Sequence, residues 1–437
     1  MSENDVFANT IFEPYWWGEA PRHWTNATEL PKTADVVVIG SGYSGLSAAL
    51  TASRGGMSVV VFEADVLGYG ASTRNGGAVG ETLRISFRNM VQKWGEQTAQ
   101  SYYLGVREAR QYLDHLIQDN DIECHYRKVG RFIGAHKPED YQSLARDLEA
   151  RKASIGFDAE MIPASQMQDI VGSDAYHGGR LIHSDGNLQP ALLHSGLAQA
   201  AQTAGATIFD QTRVLAYERD GRGFRVKTSK GDIEAKQVIV ATNGYTNRSV
   251  RGLAPWLSKR IIPIQSQIIA TEEIDKNHLR RLIPESRQMG DTRKLHNYWR
   301  LSPDGKRLLF GGRAGATELN DRRRSASELR NQMLSVYPDL GGVGLSHAWA
   351  GFIAYTFDSL PHMASHQGVH YVGGCCGSGV AMQPYLGHQA ALKALGRKEA
   401  CNPFDTIHPT VPGYWGKPWF MPAVLLYFAW RDRQASK

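Results

Sequence analysis

The chain of 437 residues carries only four cysteines, Cys124, Cys375, Cys376 and Cys401. They form no CxxC pair and no ladder of spacings, which excludes a disulfide-stapled scaffold and the usual zinc and thiol-exchange motifs. No metal site is expected. The adjacent Cys375 and Cys376 would make a strained disulfide at best and read as small buried residues. Long apolar runs are also missing: the longest, "FMPAVLLYFAW" at 420–430, has 11 residues, too few to span a bilayer. The opening "MSENDVFANTIFEPYWW" lacks a basic stretch followed by an apolar one, so no secretory signal is expected and a cytoplasmic location is. Charge of one sign is not concentrated. Lys plus Arg number 49 against 43 Asp plus Glu, a net charge of +6 dispersed along the chain except for "DRRRS" at 321–325. Without a basic stripe no nucleic-acid partner is expected. Low-complexity segments and fixed-period repeats are absent too.

What is present is too long for one hydrophobic core, so two domains are expected. Residues 1–32 are aromatic and proline-bearing without a clear period, and Tyr15, Trp16 and Trp17 make them too apolar for a free tail; they read as an arm packed on the surface. From Asp35 the pattern becomes strand, glycine turn, helix and strand: "DVVVIG", "GSGYSG", "LSAALTASRGG", "MSVVVFEA". Gly40 permits the tight turn, Gly42 lets the backbone approach a pyrophosphate, and Gly45 lets the helix pack on the strand. The helix N-terminus then receives the anion. Glu63 lies 18 residues beyond Gly45, at the end of the second strand, where a carboxylate accepts from ribose hydroxyls. NAD and FAD share this ADP half, and the βαβ unit does not separate them.

The next stretch does. "GYGASTRNGG" (68–77) is a glycine- and hydroxyl-rich loop close behind Glu63. With it the chain resembles the FAD-dependent D-amino-acid oxidase, glycine oxidase and sarcosine oxidase superfamily, and "GASTRNGG" looks most like the branch of γ-glutamylputrescine oxidase and related amine oxidases. Four further stretches carry the resemblance in order: "SDGNLQPALL" (184–193), "VIVATNGY" (238–245), "WAGFIAYTFDSLPH" (349–362) and "GGCCGSGVAMQPYLG" (373–387). It covers roughly residues 33–395.

The resemblance implies an α/β fold, a Rossmann-like FAD-binding domain joined to an α+β, sheet-based substrate domain. We expect the FAD-binding domain to take 33–105, 180–250 and 345–400, the substrate domain 106–179 and 251–344, and residues 401–437 to form a C-terminal extension. The implied cofactor contacts are Gly40, Gly42, Tyr43, Ser44 and Gly45 at the first turn, and Glu63 and Ala64 after the second strand. Gly70, Ala71, Ser72, Thr73, Arg74, Asn75, Gly76 and Gly77 follow in the loop. Val214, Thr242, Asn243, Gly244 and Gly351 come from later strands, and Gly377, Gly379, Val380 and Met382 from the last glycine turn. That turn precedes a helix, whose positive N-terminal end suits the charge that a reduced flavin carries near its pyrimidine ring. Sarcosine-oxidase relatives attach flavin through a cysteine just before the Thr-x-Asp segment; here "WAGFIAYTFDS" has none, so noncovalent FAD is expected.

On the substrate side, Tyr298 and Arg300 alternate onto one face of a strand in "HNYWR" and form a candidate carboxylate clamp. Trp349 and Tyr355 are candidate pocket walls, and His362 reads as a structural histidine. The expected partners are a small-molecule amine, γ-glutamylated or otherwise carboxylated, and O2, with a carbonyl, ammonia and H2O2 as products. Two alternatives stay open: a dehydrogenase using another acceptor, and a non-catalytic FAD-binding subunit. Residues 420–430 are expected to pack, covering a dimer face or the protein's own core, rather than to touch a membrane.

Overall fold

Parallel pairing of Thr33–Ile39 with both Val59–Phe62 and Gly231–Val240 starts the first of two eight-stranded sheets. The computed structural model describes residues 6–20, 29–246, 252–313 and 321–433. Parts of the expected arm (1–5, 21–28), of the extension (434–437) and of the domain segments (247–251, 314–320) lie outside them.

In the first sheet the order runs His362–His366, Val369–Gly373, Gly231–Val240, Thr33–Ile39, Val59–Phe62, Thr207–Phe209, and the hairpin Val214–Asp220 with Gly223–Thr228 hangs from Gly231–Val240. Val36, Val37, Val38 and Val61 have no exposed surface, as β-branched residues of a sheet covered on both faces should. Helices Tyr43–Arg54, Glu96–Gln118, Pro190–Thr203 and Gly379–Ala394 cover one face with Leu46, Leu50, Leu113, Leu197 and Leu386. Each such buried side chain contributes about 1.5–3 kcal/mol.

The second sheet runs Leu345–Tyr355, Ile262–Thr271, Leu308–Gly312, Tyr298–Leu301, Gln288–Asp291, Arg131–Gly134, Gly179–Ile182, Ala159–Ile162. Trp299, Phe310, Phe132 and Met289 form its core side, closed by Leu329 and Met333 of helix Arg322–Leu334. Its other side borders the cavities described below.

Three segments depart from the sequence-based division. Strands Gly179–Ile182 and Leu345–Tyr355, expected with the cofactor domain, pair inside the second sheet. Strand pairing is a long-range property that local pattern does not carry. Helix Glu96–Gln118, split by the expected boundary at 105, packs as one piece in the first core through Val106, Ala109, Leu113 and Leu116. The aromatic arm does more than lie on the surface. Trp16 is fully buried among Ile268, Leu309 and Trp349 of the second sheet.

Candidate active site

The first glycine turn is shaped as its spacing requires. Gly40 has φ +101°, a left-handed conformation closed to side chains, and a Cβ on Gly45 would stand 1.9 Å from the Gly40 carbonyl oxygen. Helix and strand therefore touch backbone to backbone. Glu63 accepts from the Ser41 amide at 3.1 Å, the Ser41 hydroxyl at 2.7 Å and the Asp65 amide at 3.2 Å. Burial raises its carboxyl above the ordinary range, and the Ser41 bonds oppose that. Beneath the turn, the Nε2–H of His194 donates to the Ser41 carbonyl at 2.8 Å. Burial depresses that imidazole to about 4, so the ring is neutral.

These groups line a cavity of about 330 Å³ that runs from Gly40, Gly42, Ser44, Glu63 and Ala64 past Gly70, Val214 and Thr242. A second cavity of about 460 Å³ continues from it, the two sharing Tyr43, Ala71, Ser72, Asn243, Phe352 and Gln383. At the junction, Gln383 accepts from Ser44 Oγ at 2.7 Å, while its buried Nε2 has no hydrogen-bond partner among the described residues. An orphaned donor at that point, a glycine-lined anion turn and a carboxylate opposite it fit a dinucleotide whose far end enters the second cavity. Gly377, Gly379 and Val380 bring the N-terminus of helix Gly379–Ala394 into the second cavity beside Asn75 and Gly76. Cys375 also lines it; the Cys376 thiol is buried and pushed up to about 12, an inert form.

The loop at 70–77 is held from outside by three indoles. Trp17 Nε1 donates to Thr73 Oγ1, Trp349 Nε1 to the Arg74 carbonyl and Trp16 Nε1 to the Asn75 carbonyl, each at 2.9 Å. The Arg74 guanidinium lies 4.7 Å from the ring centres of both Trp17 and Tyr69.

Several expected contacts therefore do not line either cavity. Gly45 packs against the Gly40 carbonyl, and Thr73, Arg74 and Gly77 shape the loop from behind. Gly244 and Gly351 pack against Phe352 and Arg74. Met382 faces the first core, fully buried. Trp349 is a buried donor to the loop, not a pocket wall. Arg300 is not a clamp. It does alternate with Tyr298, but Gly77 and Leu188 close over it, and its guanidinium donates to the Leu188 carbonyl at 2.6 Å and the Leu301 carbonyl at 3.0 Å. Burial lowers it to about 9. His362, held by Asp358 at 2.9 Å and Thr406 at 2.7 Å, lies outside both cavities.

Tyr298 and Tyr355 do face the second cavity, with their phenols raised by burial, Tyr298 to about 12. Sequence reasoning missed its four cations, Arg84, Arg131, Lys294 and Arg313. It also missed the cavity's apolar wall, Phe420, Met421, Val424, Leu425 and Phe428, from helix Met421–Arg433 and the residue before it. In the cofactor cavity Ser41, His194, Arg213, Tyr245 and Gln383 were missed. Ser41, Tyr245 and Gln383 lie inside stretches already singled out (40–45, 238–245 and 373–387), at positions whose side chains the spacing does not specify; the others belong to no short motif, and among them only the apolar spacing at 421, 424, 425 and 428 carried a readable signal.

The sequence profile described as FAD dependent oxidoreductase matches residues 35–392. The chain belongs to this family. It is 31% identical over 408 residues to the γ-glutamylputrescine oxidoreductase of Escherichia coli and, over the same length, to a probable oxidoreductase OrdL of Rhizobium meliloti, covering 92% of this chain and 93% of each relative. The fold is also that of glycine oxidase from Geobacillus kaustophilus, with TM-score 0.74, 21% identity, and coverage of 87% of this chain and all of that one. FAD is thus the cofactor of this family member, and the two joined cavities are where the chain has room for it.

Proposed function

We propose that this protein oxidises a small primary amine bearing a carboxylated tail, γ-glutamylated or similar, with O2 as final acceptor. The carrying observation is the charge of the second cavity: Arg84, Arg131, Lys294 and Arg313 line it, and no Asp or Glu does among the described residues. Such a site attracts a carboxylate, which favours an amine whose tail carries one over a free diamine that offers only ammonium groups. The same cations hold the reacting amine in its neutral form, the form that has a lone pair to assist C–H cleavage. Bound FAD supplies the two-electron acceptor for that C–H bond. Tyr298 and Tyr355, kept protonated, donate hydrogen bonds to the substrate, and the wall from Phe420 to Phe428 excludes water. The balance is amine plus O2 plus water giving aldehyde, ammonia and H2O2. The named E. coli relative supports this reading, and a cytoplasmic role in polyamine catabolism accompanies it.

The test is a steady-state peroxide assay on matched amines. γ-Glutamylputrescine should be turned over with a far lower KM than putrescine; equal handling of both would sink the charge argument, and no turnover of any amine the assignment itself. FAD is held noncovalently in this reading, because the stretch "WAGFIAY" before Thr356, where sarcosine-oxidase relatives carry an attaching cysteine, has none. Acid precipitation should leave the yellow colour in the supernatant, and colour in the pellet would contradict it.

A further inference from the structure

Helix Met421–Arg433 is apolar on two faces. Met421, Val424, Leu425 and Phe428 turn inward to the substrate cavity. Ala423, Leu426, Tyr427 and Trp430, at the same i, i+3, i+4, i+7 spacing, turn outward and are exposed, Leu426 by 62% and Trp430 by 52%. An ordinary surface helix presents polar residues on its outer side; a helix apolar all round is covered on both. The loop before it adds Trp415 and Trp419, 72% and 69% exposed. Of the eleven large hydrophobic side chains exposed among the described residues, seven lie between 407 and 430, so exposed apolar side chains are concentrated in this one segment.

We propose that this face, Trp415, Trp419, Leu426, Tyr427 and Trp430, seats the protein on an anionic lipid surface. Three observations select that occupant. The aromatic side chains are tryptophan and tyrosine, whose rings favour the boundary between headgroups and acyl chains. The charges within the patch are positive: the Lys259 ammonium lies 4.2 Å from the centre of the Trp415 ring, the Arg431 guanidinium donates to the Tyr427 hydroxyl at 3.1 Å, and Lys417 is exposed. Residues 406–431 contain no Asp or Glu, and the Asp432 carboxylate is engaged by the Lys294 and Leu295 amides at 2.9 and 3.0 Å. A second copy meeting this face across a two-fold axis would set cations against the same cations. An anionic headgroup layer complements them. The helix is too short to cross a bilayer, so it lies in the interface with its inner side still roofing the cavity.

The experiment is co-sedimentation of the full-length, FAD-loaded protein with vesicles of phosphatidylcholine alone or containing phosphatidylglycerol. Binding to the anionic vesicles, a blue shift of tryptophan emission and release by salt are expected. The variant carrying Leu426→Glu and Trp430→Glu should lose about tenfold or more in vesicle affinity, the worth of burying a large apolar side chain, with its flavin absorbance intact. Absence of sedimentation with either vesicle overturns the proposal, as does undiminished binding of that variant. A concentration-dependent dimer abolished by the same two changes, without vesicle binding, would assign the face to a second copy instead.

Discussion

Trp16 and Trp349 donate their indole N–H groups to adjacent carbonyls, those of Asn75 and Arg74, each at 2.9 Å and with their rings 6.3 Å apart. One indole comes from the N-terminal arm and the other from the second sheet. Together they fix the backbone of the loop on which the two cavities meet. Trp16→Phe keeps an aromatic ring in the buried site but removes the pyrrole ring with its donor, leaving the Asn75 carbonyl without that bond. An unpaired buried acceptor costs about 1–3 kcal/mol. FAD affinity of the apoprotein, followed by flavin fluorescence, should fall by roughly five- to a hundredfold, and an unchanged affinity would mean the loop keeps its shape without the arm.

Glu63 offers a simpler case. Its carboxylate already gathers the Ser41 and Asp65 amides and the Ser41 hydroxyl at the edge of the cofactor cavity. Glu63→Ala removes the acceptor for ribose hydroxyls, and loss of a charged hydrogen bond costs about 1.5–3 kcal/mol, roughly ten- to a hundredfold in FAD affinity. Glu63→Gln keeps one acceptor oxygen and should fall between the two. Identical titration curves for Glu63→Ala and the parent would remove Glu63 from the ribose site.

Arg300 and Arg313 should separate structure from recognition. Arg300 is sealed beneath Gly77 and Leu188, whereas Arg313 lines the substrate cavity. Arg300→Lys loses the two-pronged donation to the Leu188 and Leu301 carbonyls, so it should lower the thermal midpoint and affect all amines alike. Arg313→Met should instead raise KM about ten- to a hundredfold for carboxylated amines and far less for neutral-tailed ones. Steady-state kinetics on matched substrates decides; the opposite pattern would restore Arg300 as the clamp.

These residues also mark how far the sequence could be read. The turn from Gly40 to Gly45 and Glu63 were legible because their chemistry lies within one βαβ unit, where spacing dictates geometry. Tyr298 was found by strand alternation, and alternation equally placed Arg300 on the same face. It could not reveal that Gly77, more than two hundred residues earlier, folds over the guanidinium. The membership of Leu345–Tyr355 in the second sheet failed for the same reason, as did the cations of the substrate cavity, gathered from four separate segments. Local pattern reports local structure, while closure of a site is a tertiary fact.

Acid should destabilise the fold through His194. His194 is buried under the glycine turn with its Nε2–H committed to the Ser41 carbonyl, and burial lowers its pKa from 6.5 to about 4. Between those values the unfolded chain binds the proton and the folded one does not, so stability rises with pH across that window. The contribution is full above about 6.5 and is lost as pH falls toward 4, amounting to about 3 kcal/mol in all and about 2 kcal/mol of it already gone at pH 5. His194→Gln places an amide donor where Nε2 stood and does not titrate. Urea unfolding of the apoprotein at pH 7.5 and pH 5 should show a drop in stability for the parent that the variant lacks by about 2 kcal/mol. Equal drops in both proteins would show that His194 is already charged in the fold, contrary to its burial, and that the Ser41 carbonyl is held by an imidazolium.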